Sequence, residues 1–181
     1  MDEGTTATLA SPPLDHIIER PRLISLLEES GARIILLCAP AGYGKTTLAR
    51  QWSARQQGPV AWYRTTRASG DVAALAVGLD NALRAATKSD PPEPNRIAAI
   101  ANANPRPFPL ARAISTGYPE RTGDVLLVLD GWDVAGTSEA DELMDAFVTS
   151  TDTTSRNDAG TSAVVQSAND CLRRGLRSGP I

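Results

Sequence analysis

Apolar positions along this chain fall into two kinds of pattern. Some are short unbroken runs, and others recur at three- and four-residue intervals. The runs Arg33–Cys38 and Val125–Leu129 have no polar alternation, which predicts strands buried on both faces, as in a parallel sheet. Pro59-Val60-Ala61-Trp62-Tyr63 reads as a further strand, and Ala163-Val164-Val165-Gln166-Ser167 as a weaker one. Helical spacing links Leu23, Leu26 and Leu27, with Pro21 in the first turn and Gly31 at the end. A second helix is predicted over Thr46–Gln57, closed by Gly58. A third carries Val72, Leu75, Leu79 and Leu83 on one face, with Asp71 as its cap. Shorter helices are expected near Asn95–Asn102 and Pro109–Ser115. Another begins at Ser138, with Asp141 completing a capping box, and runs to about Thr149. Strands that alternate with helices predict an α/β fold with a parallel sheet flanked by helices. The last strand has few apolar residues, so the sheet is expected to be incomplete at its C-terminal end. Residues 1–15 lack periodicity and read as a loose tail, leaving 16–178 as one domain.

The junction after the first apolar run carries the chemistry. Ala39-Pro40-Ala41-Gly42-Tyr43-Gly44-Lys45-Thr46-Thr47 turns a strand into a helix through a loop of small residues. Glycines let backbone N–H groups converge on an anion, and the following helix presents its positive end to the same place. Lys45 is positioned to reach the β- and γ-phosphates of a nucleotide, and the Thr46 hydroxyl to sit on Mg²⁺. The pattern departs from G-x-x-x-x-G-K-[ST] at one place, where Ala39 stands for the first glycine. Residues 41–47 (Ala41, Gly42, Tyr43, Gly44, Lys45, Thr46, Thr47) are thus the expected nucleotide contacts, with ATP and Mg²⁺ as cofactors.

A phosphate loop needs an acid to help hold the metal. Asp130 ends the second apolar run, on the sheet edge where ligands collect in open α/β folds. It is the expected partner of Thr46 in metal binding. Hydrolysis further requires a group to orient or deprotonate water. The residue after Asp130 is Gly131, which offers nothing, and Asp133 is a weak candidate that more often caps a turn. No other catalytic residue is apparent. Arg173, Arg174 and Arg177 read as a solvated helical face. Trp132 reads as packing beside the site.

Composition narrows the possible partners. The net charge is −3, with Lys45 and Lys88 the only lysines, and no basic stripe marks a nucleic-acid surface. The single histidine, His16, excludes His-based triads and His clusters. Cys38 and Cys171 lie far apart and outside metal spacing, so Cys38 is expected to pack as a reduced, small apolar residue. No apolar stretch approaches the roughly 20 residues of a membrane span. The start Met1-Asp2-Glu3 does not suit a signal peptide. A cytoplasmic protein that binds neither membrane nor nucleic acid directly is expected.

Several segments together resemble one family: Arg20-Pro21-Arg22-Leu23, Ala39 to Leu48, Gln51-Trp52, Ala61-Trp62-Tyr63 and Leu127-Val128-Leu129-Asp130. They are similar to the signal-transducing (STAND) P-loop ATPase domain of large maltose-activator-like, LuxR-type bacterial transcription regulators. That group also has alanine at the position of Ala39. The resemblance spans about Ile17 to Val148. It implies the P-loop NTPase fold class and an ATP-dependent switch that oligomerises, with Lys45 and Thr46 on phosphate and Mg²⁺ and Asp130 on the metal. It also implies that Arg20-Pro21-Arg22 lies against the nucleotide. Family members usually have a second acid where this chain has Gly131, often a histidine where it has Asp133, and a sensor arginine after the next strand. The family's helical-repeat and DNA-binding regions have no counterpart here. The expectation is an ATP-binding switch module with weak or no hydrolysis, acting as a homo-oligomer or with a partner chain that supplies output domains. The alternatives are a small P-loop kinase or phosphotransferase, and a decayed remnant that binds nothing.

Overall fold

The computed structural model describes residues 18–32, 34–88, 95–117, 125–135, 137–154 and 161–167. The expected tail at 1–15 and the arginines at 173–177 lie outside these residues. Four strands, β1 (Ile34–Cys38), β2 (Val60–Arg64), β3 (Val125–Asp130) and β4 (Thr161–Ser167), form one sheet in the order β1-β4-β3-β2. Every neighbouring pair is parallel. All four C-terminal ends therefore share one edge.

Period-two alternation sorts the strand side chains between two cores. From β3, Val125, Leu127 and Leu129 join Ala61 of β2 on one face. They meet α3 (Val72–Thr87), α4 (Arg96–Ala103), α5 (Pro107–Ser115) and α7 (Ser138–Thr154) through Leu75, Leu79, Ile97, Leu110, Ile114, Leu143 and Phe147. Leu126 and Val128 point the other way. There they pack on Ile24 of α1 (Pro21–Glu29) and on Leu48, Ala49 and Trp52 of α2 (Lys45–Ser53). The result is a sheet between two helical layers. β3 is buried along its full length, which is why its run has no polar alternation.

Most helix ends follow local chemistry. The Asp71 carboxylate accepts from Ala74 N at 2.8 Å and caps α3 as expected. Gly31, at φ +57°, takes the left-handed turn that ends α1. The start of α7 differs from the expected capping box. The Thr137 hydroxyl, not Ser138, accepts from Ala140 N at 3.2 Å, and the Asp141 carboxylate instead accepts from the Trp132 indole at 3.1 Å. α2 ends at Ser53, short of Gln57, and α7 continues to Thr154. A four-residue helix, α6 (Trp132–Ala135), follows β3.

The expected fold class, a P-loop NTPase with a sheet incomplete at its C-terminal end, is corrected at this point. The described residues form an α/β fold whose sheet is continuous through its C-terminal strand. β4 is seven residues long and lies inside the sheet, with β1 on one side and β3 on the other. Backbone pairing on two sides, rather than apolar content, makes Thr161–Ser167 a strand. No described helix is long and apolar enough to cross a membrane.

The two-core arrangement is testable by truncation. Leu127 is fully buried, whereas Leu26 on α1 is 55% exposed. Leu127→Ala should cost about 2–5 kcal/mol of unfolding free energy, and Leu26→Ala less than about 0.5 kcal/mol. Denaturant titration of both variants checks this, and equal losses would contradict the orientation of α1.

Candidate functional site

The loop 39–44 leaves β1 at the shared C-terminal edge and feeds directly into α2. Gly42 at φ +82° and Gly44 at φ +76° both take backbone conformations that side chains disfavour. Open space surrounds Gly42 where a Cβ would stand. A helix opening has N–H groups with no intrahelical acceptor, so α2 offers donors and a positive end to this loop. The loop is held from outside by Arg20, whose guanidinium donates to the Tyr43 carbonyl at 2.9 Å.

Lys45 lies folded over the loop. Its ammonium donates to the carbonyls of Ala39 at 2.6 Å and Pro40 at 3.0 Å. Tyr43 is exposed at the loop's tip. The Thr46 hydroxyl donates to Asp130 Oδ1 at 3.0 Å, across 84 residues of sequence. Of the expected site residues, the structure therefore brings together the whole loop, Lys45, Thr46 and Asp130. A hydroxyl and a carboxylate at this junction are ligands of the kind that would suit Mg²⁺ held chiefly by nucleotide phosphates. Among the described residues, no group of three or more His, Cys, Asp or Glu forms a metal cage of its own.

Asp130 is 8% exposed. Its Oδ2, the oxygen not facing Thr46, lies 4.0 Å from Nε of Arg64, which sits opposite Asp130 in the β2–β3 register. Thr65 fixes the end of the strand. Its N–H donates to the Asp130 carbonyl at 2.9 Å, and its hydroxyl reaches the carbonyls of Asp130 and Gly131. Gly131 itself is at φ +84°. A Cβ there would lie 3.3 Å from the Thr65 hydroxyl. Gly131 is thus required by the bend after β3, not merely a missing acid.

Asp133 lies in α6, and only its backbone position is described. Trp132 packs against the larger core and is tied to Asp141, so it does not screen the site. Cys38, at the end of β1, is disulfide-bonded, which corrects the expectation of a reduced, packed thiol.

Arg64 and Thr65 were not legible as site residues. A usable signal existed: two parallel apolar runs aligned by their ends put Arg64 beside Asp130.

No family model matches the chain. Among solved structures, it is similar to a chain of an E. coli MS115-1 HORMA:CdnC:Trip13 complex, at 15% identity and a TM-score of 0.35. The match covers 84% of this chain and spans 47% of that one, so about half of its length. Likeness at this level assigns neither fold nor function. The described residues are an α/β fold with a four-stranded parallel sheet, and the fold name gives way to that plain description.

The bend at Gly131 yields a direct expectation. Gly131→Ala and Gly131→Asp should each destabilise the fold by about 1–3 kcal/mol, because the residue would be forced into a left-handed conformation. Chemical denaturation of the two variants is the check. Parent-like stability of both would mean that the bend relaxes freely.

Proposed function

We propose that this chain is an ATP-binding switch module with weak or no hydrolysis, acting as part of a transcriptional regulator. One observation carries the reading: the Thr46 hydroxyl bonded to buried Asp130, which joins the loop–helix junction to the end of the central apolar strand. Lys45 supports it. Its ammonium rests on two neutral carbonyls, so incoming phosphate oxygens would exchange those partners for charge-assisted ones, roughly twice as strong. In this reading Gly42, Gly44 and the opening turn of α2 bind the phosphates, Lys45 neutralises them, and Thr46 with Asp130 would hold Mg²⁺. When bound, the metal supplies charge neutralisation between the β- and γ-phosphates.

Weak hydrolysis follows from the neighbourhood of Asp130. The next residue is a glycine held in a bend, and among the described residues the other side chains meeting this carboxylate are a hydroxyl and a guanidinium. Neither takes a proton from water at neutral pH. Positioned acid–base groups contribute about 10²–10⁴-fold to rate. A site without one binds and holds nucleotide rather than turning it over, which suits a switch. Oligomerisation and a partner chain that carries output domains belong to the same reading.

Calorimetric titration tests it. The parent should bind ATP in the presence of Mg²⁺, and Lys45→Ala should abolish detectable binding, a loss of at least about 1.5–3 kcal/mol. Asp130→Asn should remove the Mg²⁺ dependence. ATP binding by Lys45→Ala as tight as by the parent would refute the loop's role.

A cytoplasmic setting is also part of this proposal, and the Cys38 disulfide runs against it, since reducing compartments disfavour such bonds. Thiol titration of denatured protein, isolated under alkylating conditions that trap the cellular redox state, decides the matter. Free thiol at Cys38 supports a cytoplasmic protein, and blocked thiol points to an oxidising compartment.

A further inference from the structure

The carboxylate of Asp130 is divided between two partners. Oδ1 takes the Thr46 hydroxyl at 3.0 Å, and Oδ2 faces Arg64 Nε at 4.0 Å. The Arg64 side chain is 81% exposed and that of Asp130 only 12%. An ion pair this long, with one partner in water, contributes little to stability. Arg64 is therefore weakly held in position. Its backbone is not: β2 is paired to β3 in register at this residue, and the next residue, Thr65, is buried and bonded to the Asp130 and Gly131 carbonyls. The structure combines a fixed Cα with an exposed, loosely paired guanidinium at the sheet edge that carries the loop 39–44.

Resting on the nucleotide-binding reading, we propose that Arg64 is a phosphate-contacting residue that distinguishes a nucleoside triphosphate from a diphosphate. The charges account for the movement. With a divalent cation held at Asp130 the guanidinium would lose its attraction to Oδ2, and Arg64 would be free to pair with a terminal phosphate on that side of the loop. A guanidinium is planar and always charged, and its paired donors match phosphate oxygens. Among the described residues, two other cations at the site lie on the loop itself, Lys45 on the carbonyls of Ala39 and Pro40 and Arg20 on that of Tyr43. They serve any nucleotide seated in the loop. Arg64 approaches from the Asp130 side, where Thr46 and Asp130 would hold a divalent cation beside the terminal phosphates, so a γ-phosphate would be its partner.

Equilibrium binding of Mg²⁺ with ADP and with a non-hydrolysable ATP analogue tests this on the full chain, Arg64→Ala and Arg64→Lys. Loss of one charge-assisted contact should weaken the analogue about ten- to a hundredfold in Arg64→Ala. ADP should change by less than about twofold, the scale of an exposed pair. Arg64→Lys should recover part of the analogue's affinity, and all three proteins should melt alike. A parent that binds both nucleotides, with Arg64→Ala weakening both equally or neither, overturns the role of Arg64 and leaves the nucleotide reading intact. A parent that binds neither overturns both.

Discussion

A negative charge at the end of a wholly buried strand is the constraint on which this molecule turns. Removing the Asp130 carboxylate from water is costly unless partners compensate it, and the partners come from separate parts of the chain. Thr46 arrives on the opening turn of α2, Arg64 on the last residue of β2, and Thr65 ties down the strand end from behind. These groups meet only because β1, β2 and β3 all run in the same direction and end at one edge. Register alone places Arg64 opposite Asp130.

The loop solves a related problem for a positive charge. The Lys45 ammonium has two carbonyl acceptors within its own turn, so the loop does not leave this cation unsatisfied. The packing beneath is correspondingly firm. Leu48, Ala49 and Trp52 seat α2 on the inner face of β3, and the helix that presents the loop's donors rests on the strand that presents the acid. Any displacement of α2 along its axis would change the Thr46–Asp130 distance directly.

What was readable from the sequence was whatever local pattern decides. The run Val125–Asp130, the glycines of the loop and the Asp71 cap each declare themselves within a few residues, and each is found as expected. Tertiary partners decide the rest. β4 is poor in apolar residues and becomes a strand through pairing on both sides. Asp141, expected in a cap, is taken by the indole of Trp132. The disulfide at Cys38 has no signature in spacing. Gly131 is the most instructive miss: its lack of a side chain was legible as a lost acid, whereas its φ of +84° gives a backbone reason for glycine.

The strand order also says something about how the molecule comes into being. β4 is the last of the four described strands in sequence and lies between β1 and β3. Until it inserts, a growing chain holds β1 on one side and the β2–β3 pair on the other, with apolar edges open to water. Pairings of such long sequence separation form slowly and leave intermediates prone to aggregation. A nascent chain would thus have the loop 39–44 and Asp130 already synthesised yet not joined by the sheet. The Thr46–Asp130 hydrogen bond therefore forms only as the sheet closes, and an incompletely made molecule lacks it.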